Sequence, residues 1–402
     1  MVRCVLGAVC IMLAMGSAEA AVKTWELDRI ITTFWNAPPA TDEALAAVSA
    51  EHYSMTWVPE SGLDVAAGHG LRAMLQDGLL NPASLDDPAQ KAKLDALIDR
   101  VKNHPALYAY FLRDEPSAAD FPALGRLVAY LKERDPAHLA YINLFPTYAN
   151  NQQLGTQGDT VTAYREHLRQ FVEVVKPALI SYDHYHFFKK GDGEQYFLNL
   201  GMIRQAALDA GLPFLNIVQT SDGEKVWRYP TGDELRWLVY TTLAYGGRGL
   251  SYFVYWGSAS YRGLYADGKP TPLAPEAAKL NGEIAALSPE LMALESLGAY
   301  HSEPVPRGAE AMPADAPVQI VGKGEFVLGL FGTGGRVTAF MLVNRDYREA
   351  AAARIKLARG TRGLQEFDRA KRAWEGYAVA AQPDTVTVEL QPGDGRLFRL
   401  VE

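Results

Sequence analysis

Cysteine is scarce in this chain of 402 residues, which contains only Cys4 and Cys10. Both lie in an N-terminal segment where a basic residue precedes an apolar run over residues 4–15, and small residues follow. This pattern predicts a signal peptide over residues 1–20, cleavage after Ala20, and a secreted or periplasmic mature protein. The mature chain would then lack cysteine, which excludes disulfide bonds and thiolate catalysis.

Two further absences restrict the partners of the chain. There is no long run of Lys or Arg, and the formal net charge is −8, so a nucleic-acid partner is not expected. No apolar run is long enough for a transmembrane helix, so no membrane span is predicted. With 48% apolar and 21% charged residues, the composition is that of a folded globular protein.

Short apolar runs alternate with longer helical patterns over most of the chain. Several runs are apolar throughout, as expected for parallel strands that are buried on both faces. Eight such units predict an α/β fold of the TIM-barrel type, (β/α)8, over residues 21–297. The competing open sheet lacks support, because no glycine-rich phosphate loop follows the first run. The eight runs are residues 30–35, 53–58, 71–75, 106–113, 139–145, 179–185, 214–219 and 249–256.

The character of the sequence changes near residue 297. Short alternating runs follow, separated by turns rich in glycine and proline, and they predict a small antiparallel C-terminal β-sandwich over residues 298–402. The runs are residues 318–321, 326–331, 337–343, 352–357, 386–390 and 395–400.

Carboxylates follow two of the predicted barrel strands, at the end where TIM-barrel active sites lie. Asp114 and Glu115 end the fourth strand and Asp183 ends the sixth. Cleavage of a glycosidic bond needs two carboxyl groups, one of them an acid with a raised pKa. The competing interpretation is that Asp114 and Glu115 only complement the dipole of the following helix.

Aromatic and polar residues at the same strand ends suggest a carbohydrate partner. Indole rings can stack on sugar rings, and amide, imidazole and phenol groups can bind hydroxyls. The alternatives are that the tryptophans fill the top of the barrel, and that Asp183 and His184 merely orient each other. The stacking candidates are Trp35, Trp57 and Trp256, and the hydroxyl-binding candidates are Asn143, His184, Tyr185 and Gln219.

Other kinds of chemistry find little support in the sequence. In a strand, His184 and His186 share a face while Asp183 points to the other, which disfavours a metal site. No G-x-S-x-G segment is present for a serine hydrolase of the nucleophile-elbow type. No organic cofactor is implied.

Residues 108–116 (YAYFLRDEP) resemble the fourth-strand signature of clan A glycoside hydrolases, in particular of family 42-like barrels. The resemblance implies that Glu115 is the general acid/base and that Asp114 replaces an Asn that holds the sugar 2-hydroxyl. Residues 245–256 (YGGRGLSYFVYW) resemble the last barrel strand of these enzymes, whose terminal Trp forms a sugar platform. Residues 343–346 and 392–395 resemble their accessory domain.

One position departs from that family pattern. The nucleophile of clan A enzymes is a Glu at the end of the seventh strand, where this chain has Gln219. Asp222 and Glu224 follow, but they are expected to lie in a loop. Asp183 could be the second carboxylate, or Asp114 could orient a substrate acetamido group that attacks its own anomeric carbon.

The remaining alternative is that no hydrolysis occurs. The barrel would then bind a glycan, or Glu115, Tyr185 and His184 would act as a polysaccharide lyase on a uronate, with Arg72 and Arg113 among the basic candidates. The sequence favours a secreted glycoside hydrolase acting on an oligo- or polysaccharide, with Glu115 as general acid and Asp183 or Asp114 as second carboxylate.

Overall fold

A computed structural model describes residues 23–223, 226–358, 360–377 and 385–401. The predicted signal peptide, residues 1–20, lies outside the described residues. The first part of the fold is a sheet of eight parallel strands. The strands are β1 (Ile31–Phe34), β2 (Met55–Val58), β3 (Arg72–Leu75), β4 (Leu107–Asp114), β5 (Leu139–Leu144), β6 (Ile180–Asp183), β7 (Phe214–Gln219) and β8 (Gly249–Phe253).

The sheet runs in the order β1-β8-β7-β6-β5-β4-β3-β2, so β1 and β2 are its two ends. These ends lie side by side. The Ser54 amide donates to the Thr32 carbonyl at 3.0 Å, and the Thr32 amide donates to Ser54 Oγ at 2.9 Å. The sheet is therefore a near-closed barrel, consistent with a (β/α)8 fold, and all eight predicted strands belong to it.

Each strand is followed by a helix that covers the outside of the barrel. The helices begin at side-chain caps that the sequence contains: Thr41 caps the first, and Thr231 with Glu234 forms a capping box on the seventh. None of the helices in the described ranges is long and apolar enough to cross a membrane. The helices are α1 (Asp42–Ala50), α2 (Leu63–Gly68), α3 (Pro88–Val101), α4 (Phe121–Arg134), α5 (Thr160–Gln170), α6 (Tyr196–Ala210), α7 (Gly232–Ala244) and α8 (Leu273–Met292).

Short elements occupy several connections between these units. One β-hairpin of two-residue strands follows β6 and another follows β8, both at the C-terminal end of the barrel. The short elements are Glu60–Gly62, Pro82–Leu85, Ala118–Asp120, Asn151–Leu154, the π-helix Phe171–Val175, and the hairpin strands Phe187–Phe188, Gly191–Asp192, Tyr265–Ala266 and Lys269–Pro270.

Side chains fill the interior of the barrel. Alternate residues of each strand point inward, because successive side chains of a strand lie on opposite faces. These buried residues form one apolar cluster that includes Ile31, Met55, Trp57, Met74, Tyr141, Leu215 and Ile217. The interior is therefore a packed core, and space for a ligand remains at its upper, C-terminal end.

Beyond α8 the chain forms two further sheets, of seven and three strands, which are antiparallel apart from one short parallel pair. Buried residues of both sheets share one apolar cluster, including Leu328 and Phe340 from the larger sheet and Ile355 and Val388 from the smaller. The strands are Glu295–His301, Glu310–Ala311, Val318–Val321, Phe326–Thr333, Arg336–Asn344, Ala351–Leu357, Gly363–Asp368, Ala373–Tyr377, Thr385–Leu390 and Gly395–Val401.

The predicted C-terminal runs coincide with strands, but three longer strands were not anticipated. Ala373–Tyr377 is half exposed, so it carries no apolar alternation to identify it. Glu295–His301 contains Gly298 and follows α8 almost directly, and it runs across the predicted domain boundary at residue 297. Gly363–Asp368 is the third.

Candidate functional site

A cavity of about 320 Å³ opens at the C-terminal end of the barrel strands. Six of the ten predicted site residues line it, and they come from strands that are distant in sequence. Its lining consists of Trp35, Asp114, Glu115, Asn143, Tyr148, Gln153, Asp183, Tyr185, Ile217, Trp227, Phe253 and Tyr261. The position and the acidic and aromatic lining match what is expected of a TIM-barrel active site.

Asn143 holds two of the carboxyl groups together. Its Nδ2 donates to Oδ1 of Asp114 and to Oδ1 of Asp183, each at 3.1 Å. Its Oδ1 accepts a hydrogen bond from Ser181 Oγ at 3.1 Å, and the hydroxyl of Tyr141 lies 2.8 Å from the same Oγ. The amide is thereby fixed with its nitrogen toward the acids, a fixed donor at the base of the site.

Glu115 has an unusual backbone conformation. Its φ of 43° lies in the left-handed region, which a non-glycine residue enters at a cost of about 1–2 kcal/mol. The Glu115 amide donates to the Asn143 carbonyl at 2.9 Å, which ties this turn to the end of β5. The strained turn lets Asp114 and Glu115, although adjacent, both face the cavity.

The protonation of the site follows from the crowding of its acids. Asp183 is 4% exposed, and burial together with the nearby charges of Glu115 and Asp114 raises its pKa well above the usual range. Asp183 also forms a hydrogen bond with Glu115. A pair of hydrogen-bonded carboxyls needs a shared proton, and the more deeply buried Asp183 is disfavoured as a carboxylate.

Asp114 lies nearer to solvent than Asp183, at the mouth of the cavity. The surrounding walls reduce its hydration and raise its pKa, while Asn143 and the charge of Arg113 oppose that rise. The three acids therefore have different surroundings: Asp183 is buried, Glu115 is half-buried, and Asp114 faces outward.

Aromatic rings form the other side of the cavity. Tyr185 packs edge-on against Trp227, with 4.6 Å between ring centroids, and its ring lies 5.1 Å from that of Phe253 at a tilt of 38°. Tyr261 stacks on Trp227 at 6.1 Å with 22° between the planes. We call Tyr185, Trp227, Phe253 and Tyr261 the aromatic wall. Because β8 lies opposite β4 in an eight-stranded barrel, Phe253 faces the side that carries Asp114 and Glu115.

The sequence pointed to Tyr185 but not to the other three members of the aromatic wall. Trp227 and Tyr261 lie in the loops that follow β7 and β8, at the C-terminal end of the barrel. Extending the search from strand ends to those loops would have found both, because such loops build TIM-barrel sites. Tyr148, in the loop after β5, lines the cavity as well.

The structure does not bring Trp57 or Trp256 to the cavity. Trp57 is 4% exposed, its Nε1 donates to Thr33 Oγ1 at 3.3 Å, and its ring lies 4.8 Å from Trp35. Trp57 belongs to the packed interior, because its side chain points into the barrel one layer below the cavity. Trp256 stacks on Tyr265 at 5.8 Å with 12° between the rings, because the chain turns away after β8.

His184 also lies outside the cavity lining. Its Nδ1 lies 2.9 Å from Oδ1 of Asn199 in α6, and that oxygen also accepts the amide of Thr147. Burial lowers the pKa of His184 to about 3, so its imidazole is neutral and donates to Asn199. His184 therefore joins β6, α6 and the loop that carries Tyr148.

Gln219 is buried beside the site and faces backbone groups. Its Oε1 accepts the Phe187 amide at 2.9 Å, and its Nε2 donates to the carbonyls of Phe187, Ser221 and Arg228. The β7 residue that lines the cavity is Ile217. The side chain of Gln219 is thus saturated by loop backbone, and it does not reach the place where a nucleophile or a hydroxyl ligand would act.

No protein-family profile matches the chain, and a search of curated proteins finds no significant match. The fold, however, is shared with solved glycoside hydrolases. A β-galactosidase from Rahnella sp. R3 superposes over 94% of this chain and 99% of its own, with a TM-score of 0.57 and 9% identity.

A family 39 glycoside hydrolase from Bacteroides cellulosilyticus WH2 covers 92% of this chain and 80% of its own length. Its TM-score is 0.50 and its identity is 10%. Sequences this different share a fold without sharing a substrate. The chain therefore shares a fold that includes a TIM barrel with these glycoside hydrolases, and the superposition extends over nearly its whole length.

Proposed function

We propose that this protein is a glycoside hydrolase. The observation that carries the proposal is the arrangement of Asp114, Glu115 and Asp183 around Asn143 at the C-terminal end of the barrel, opposite the aromatic wall. Aromatic faces suit the C–H faces of a sugar ring, and crowded carboxyls of unequal pKa supply acid and base.

Glu115 is the general acid that reaches the leaving oxygen. It lines the cavity and is hydrogen-bonded to Asp183, so the two carboxyls share a proton, and burial and the neighbouring acids raise the pKa of Asp183. The shared proton is the one that Glu115 gives to the leaving oxygen. Two hydrogen-bonded carboxyls are closer together than the separation of about 5 Å in retaining or roughly 6.5–9.5 Å in inverting enzymes. The pair thus acts from one side of the bond.

A lyase acting on uronates suits this cavity poorly. None of the described lining residues is Lys or Arg, while three are acids that repel a carboxylate substrate. Arg72, one of the basic candidates, lies at the start of β3, at the opposite end of the barrel. There its guanidinium pairs with Asp28, with nitrogen–oxygen distances of 2.7 and 2.5 Å.

The finer parts of the prediction belong with this proposal. The protein would be secreted, would act on an oligo- or polysaccharide, and would resemble family 42-like enzymes through residues 108–116. Its C-terminal sheets would form a β-sandwich that supports the barrel. In favour of that role, Arg236 of α7 donates to the Pro392 carbonyl at 2.9 Å. In addition, Gly393 and Gly395 approach Trp237 and Tyr240 so closely that a Cβ would clash.

The test is product release from a broad panel of glycans, comparing wild type with Glu115→Gln by mass spectrometry. The matched control is Glu43→Gln, the same substitution at an exposed position in the first turn of α1. We expect a water-added product and a loss of at least about a hundredfold in Glu115→Gln only.

Other outcomes would replace the proposal. An unsaturated product would identify a lyase. Binding of a glycan by wild type without cleavage would identify a carbohydrate-binding barrel. Equal rates in wild type and Glu115→Gln would remove Glu115 from the mechanism.

A further inference from the structure

The three acids of the site occupy one side of the cavity. Asp114 and Glu115 come from the end of β4 and Asp183 from β6, and Asn143 of β5 lies between them. The opposite side is formed by β7, β8 and β1, whose described lining residues are Ile217, Phe253 and Trp35. None of these three can attack a sugar carbon or activate a water molecule.

A glycosidase that uses two protein carboxylates needs them on opposite faces of the reacting carbon. The described residues here place all three on the acid side, and Asp183 is engaged with Glu115. The attacking group must then come from elsewhere, and a substrate can supply it. A 2-acetamido group on the sugar can reach its own anomeric carbon when the leaving group is trans to it.

We propose that the sugar cleaved beside Glu115 is a β-linked 2-acetamido-2-deoxyhexose, whose acetamido oxygen displaces the leaving group while Asp114 holds its N–H. This inference rests on the proposed glycoside hydrolase function and names its substrate class.

Three features of the cavity fit such a group. Asp114 is fixed through Oδ1 by Asn143, so its carboxylate is oriented to accept a further N–H from a ligand. The hydroxyl of Tyr148 accepts the Tyr185 amide at 3.3 Å, which leaves its own hydrogen to donate to the acetamido oxygen. The aromatic wall offers an apolar surface for the methyl group and the ring.

The chemical step balances without any further reagent. The acetamido oxygen bonds to C1, the bond from C1 to the leaving oxygen breaks, and that oxygen takes the proton of Glu115. The carboxylate of Asp114 offsets the positive charge of the resulting oxazolinium ring. Water then bonds to C1, the ring C1–O bond breaks, and the proton of the water returns to Glu115. One water is consumed and the configuration at C1 is retained.

The experiment uses pairs of 4-nitrophenyl β-glycosides that differ only at C2. The 2-acetamido glucoside and galactoside are compared with the 2-hydroxy and 2-amino sugars, and with N-fluoroacetyl derivatives. We expect cleavage of the acetamido sugars at least about a hundredfold faster than of their counterparts, and a rate that falls with each added fluorine. Fluorine weakens the oxygen as a nucleophile, which a protein nucleophile would not sense.

Binding provides a readout that does not depend on turnover. The methyl thiazoline of 2-acetamido-2-deoxyglucose mimics the cyclised intermediate, and calorimetry measures its affinity. We expect Glu115→Gln to bind it while losing activity, and Asp114→Asn to lose at least about tenfold in affinity, because one charge-assisted hydrogen bond is lost.

The outcomes separate this inference from the proposed function. Cleavage of the 2-hydroxy or 2-amino sugars at rates equal to or higher than those of the 2-acetamido sugars would overturn the acetamido inference. The proposed glycoside hydrolase function would then still stand. Loss of cleavage in Glu224→Gln with thiazoline affinity unchanged in Asp114→Asn would also overturn it, since a protein carboxylate would then be the nucleophile. No cleavage of any sugar and no thiazoline binding would overturn both.

Discussion

The carboxyl of Asp183 is hydrogen-bonded to that of Glu115, and Asp183 is the more buried of the two. Two adjacent acids cannot both be ionised cheaply, so one proton stays in the pair at neutral pH. In the proposed mechanism, Glu115 presents this shared proton to the cavity.

Replacing Asp183 with Asn should stabilise the protein while reducing its activity. In the unfolded chain an Asp ionises near pH 3.9, whereas the folded protein keeps Asp183 protonated to a much higher pH. The wild type therefore loses folding stability as the pH rises above about 4, by about 1.4 kcal/mol for each unit of pKa elevation. Asn cannot ionise and avoids this loss.

Urea unfolding at pH 4, 6 and 8 checks this expectation. The advantage of Asp183→Asn in free energy of unfolding should be smallest at pH 4 and grow toward pH 8. Activity on any cleaved glycan should fall at the same time. A constant difference across this range would show that Asp183 is ionised in the folded protein.

Replacing Asn143 with Leu should move the pH–rate profile. Asn143 lowers the pKa of both Asp114 and Asp183 by donating to their carboxylates. Without that donor both carboxyls ionise at higher pH. The acidic limb of the pH profile of kcat/KM should therefore shift to higher pH. The free energy of unfolding of the variant should also fall by about 1–3 kcal/mol, because the Ser181 hydroxyl loses its acceptor. The control is Ser181→Ala, which keeps the amide of Asn143 as a donor and should shift the acidic limb of the profile less.

Substitutions of Gln219 test whether this residue stands in the place of a lost nucleophile or holds the loop backbone by hydrogen bonds. Gln219→Glu would place a carboxylate against three backbone carbonyls, so we expect a loss of at least about 3 kcal/mol in unfolding free energy and no gain in rate. Gln219→Ala should also destabilise the protein, because it leaves the Phe187 amide without its acceptor. A faster Gln219→Glu enzyme would contradict this placement.

The contrast between Gln219 and Ile217 shows what the sequence could and could not predict. Buried apolar runs and turn residues identify the eight barrel strands, because their pattern is local. Which side chain of β7 reaches the cavity depends on how the following loops cover the strand end, and here Phe187 and Arg228 meet Gln219.

The acids and the aromatic rings of the site show the same limit. Asp114, Glu115, Asn143 and Asp183 could be predicted because each lies at the end of a strand or within one residue of it. Trp227 could not, because its position depends on a loop that packs against Tyr185.

Trp227 should contribute to substrate binding more than to the chemical step. We expect Trp227→Ala to raise KM at least about fivefold with a smaller effect on kcat, because a sugar-stacking surface is lost while the acids remain. Trp256→Ala is the matched control, since that ring stacks on Tyr265 outside the cavity lining. Steady-state kinetics on any cleaved glycan measures KM and kcat of the two variants. An equal rise in KM for both would mean that Trp256 is also a sugar platform.

Asp192 connects the aromatic wall to the C-terminal sheets. It lies in the hairpin after β6, where Oδ1 accepts Arg228 Nη2 at 3.0 Å and Oδ2 accepts Arg348 Nη2 at 2.7 Å and the hydroxyl of Tyr347. Arg228 directly follows Trp227, so this cluster fixes the loop that carries the ring. Burial raises the pKa of Asp192, but the hydrogen bonds of Tyr347 and Arg228 outweigh it and lower the pKa overall.

Asp192→Asn should therefore raise KM with kcat nearly unchanged and lower the free energy of unfolding by about 1–3 kcal/mol at pH 7. Because the folded-state pKa is depressed, this stability is present above about pH 4 and is lost as the pH falls toward the folded pKa, so the difference between the two proteins should shrink as the pH falls below about 4. A double-mutant cycle with Arg348→Ala gives the coupling to the C-terminal sheets, expected at about 0.5–3 kcal/mol. Additive effects would mean that the C-terminal part does not position the aromatic wall through Asp192.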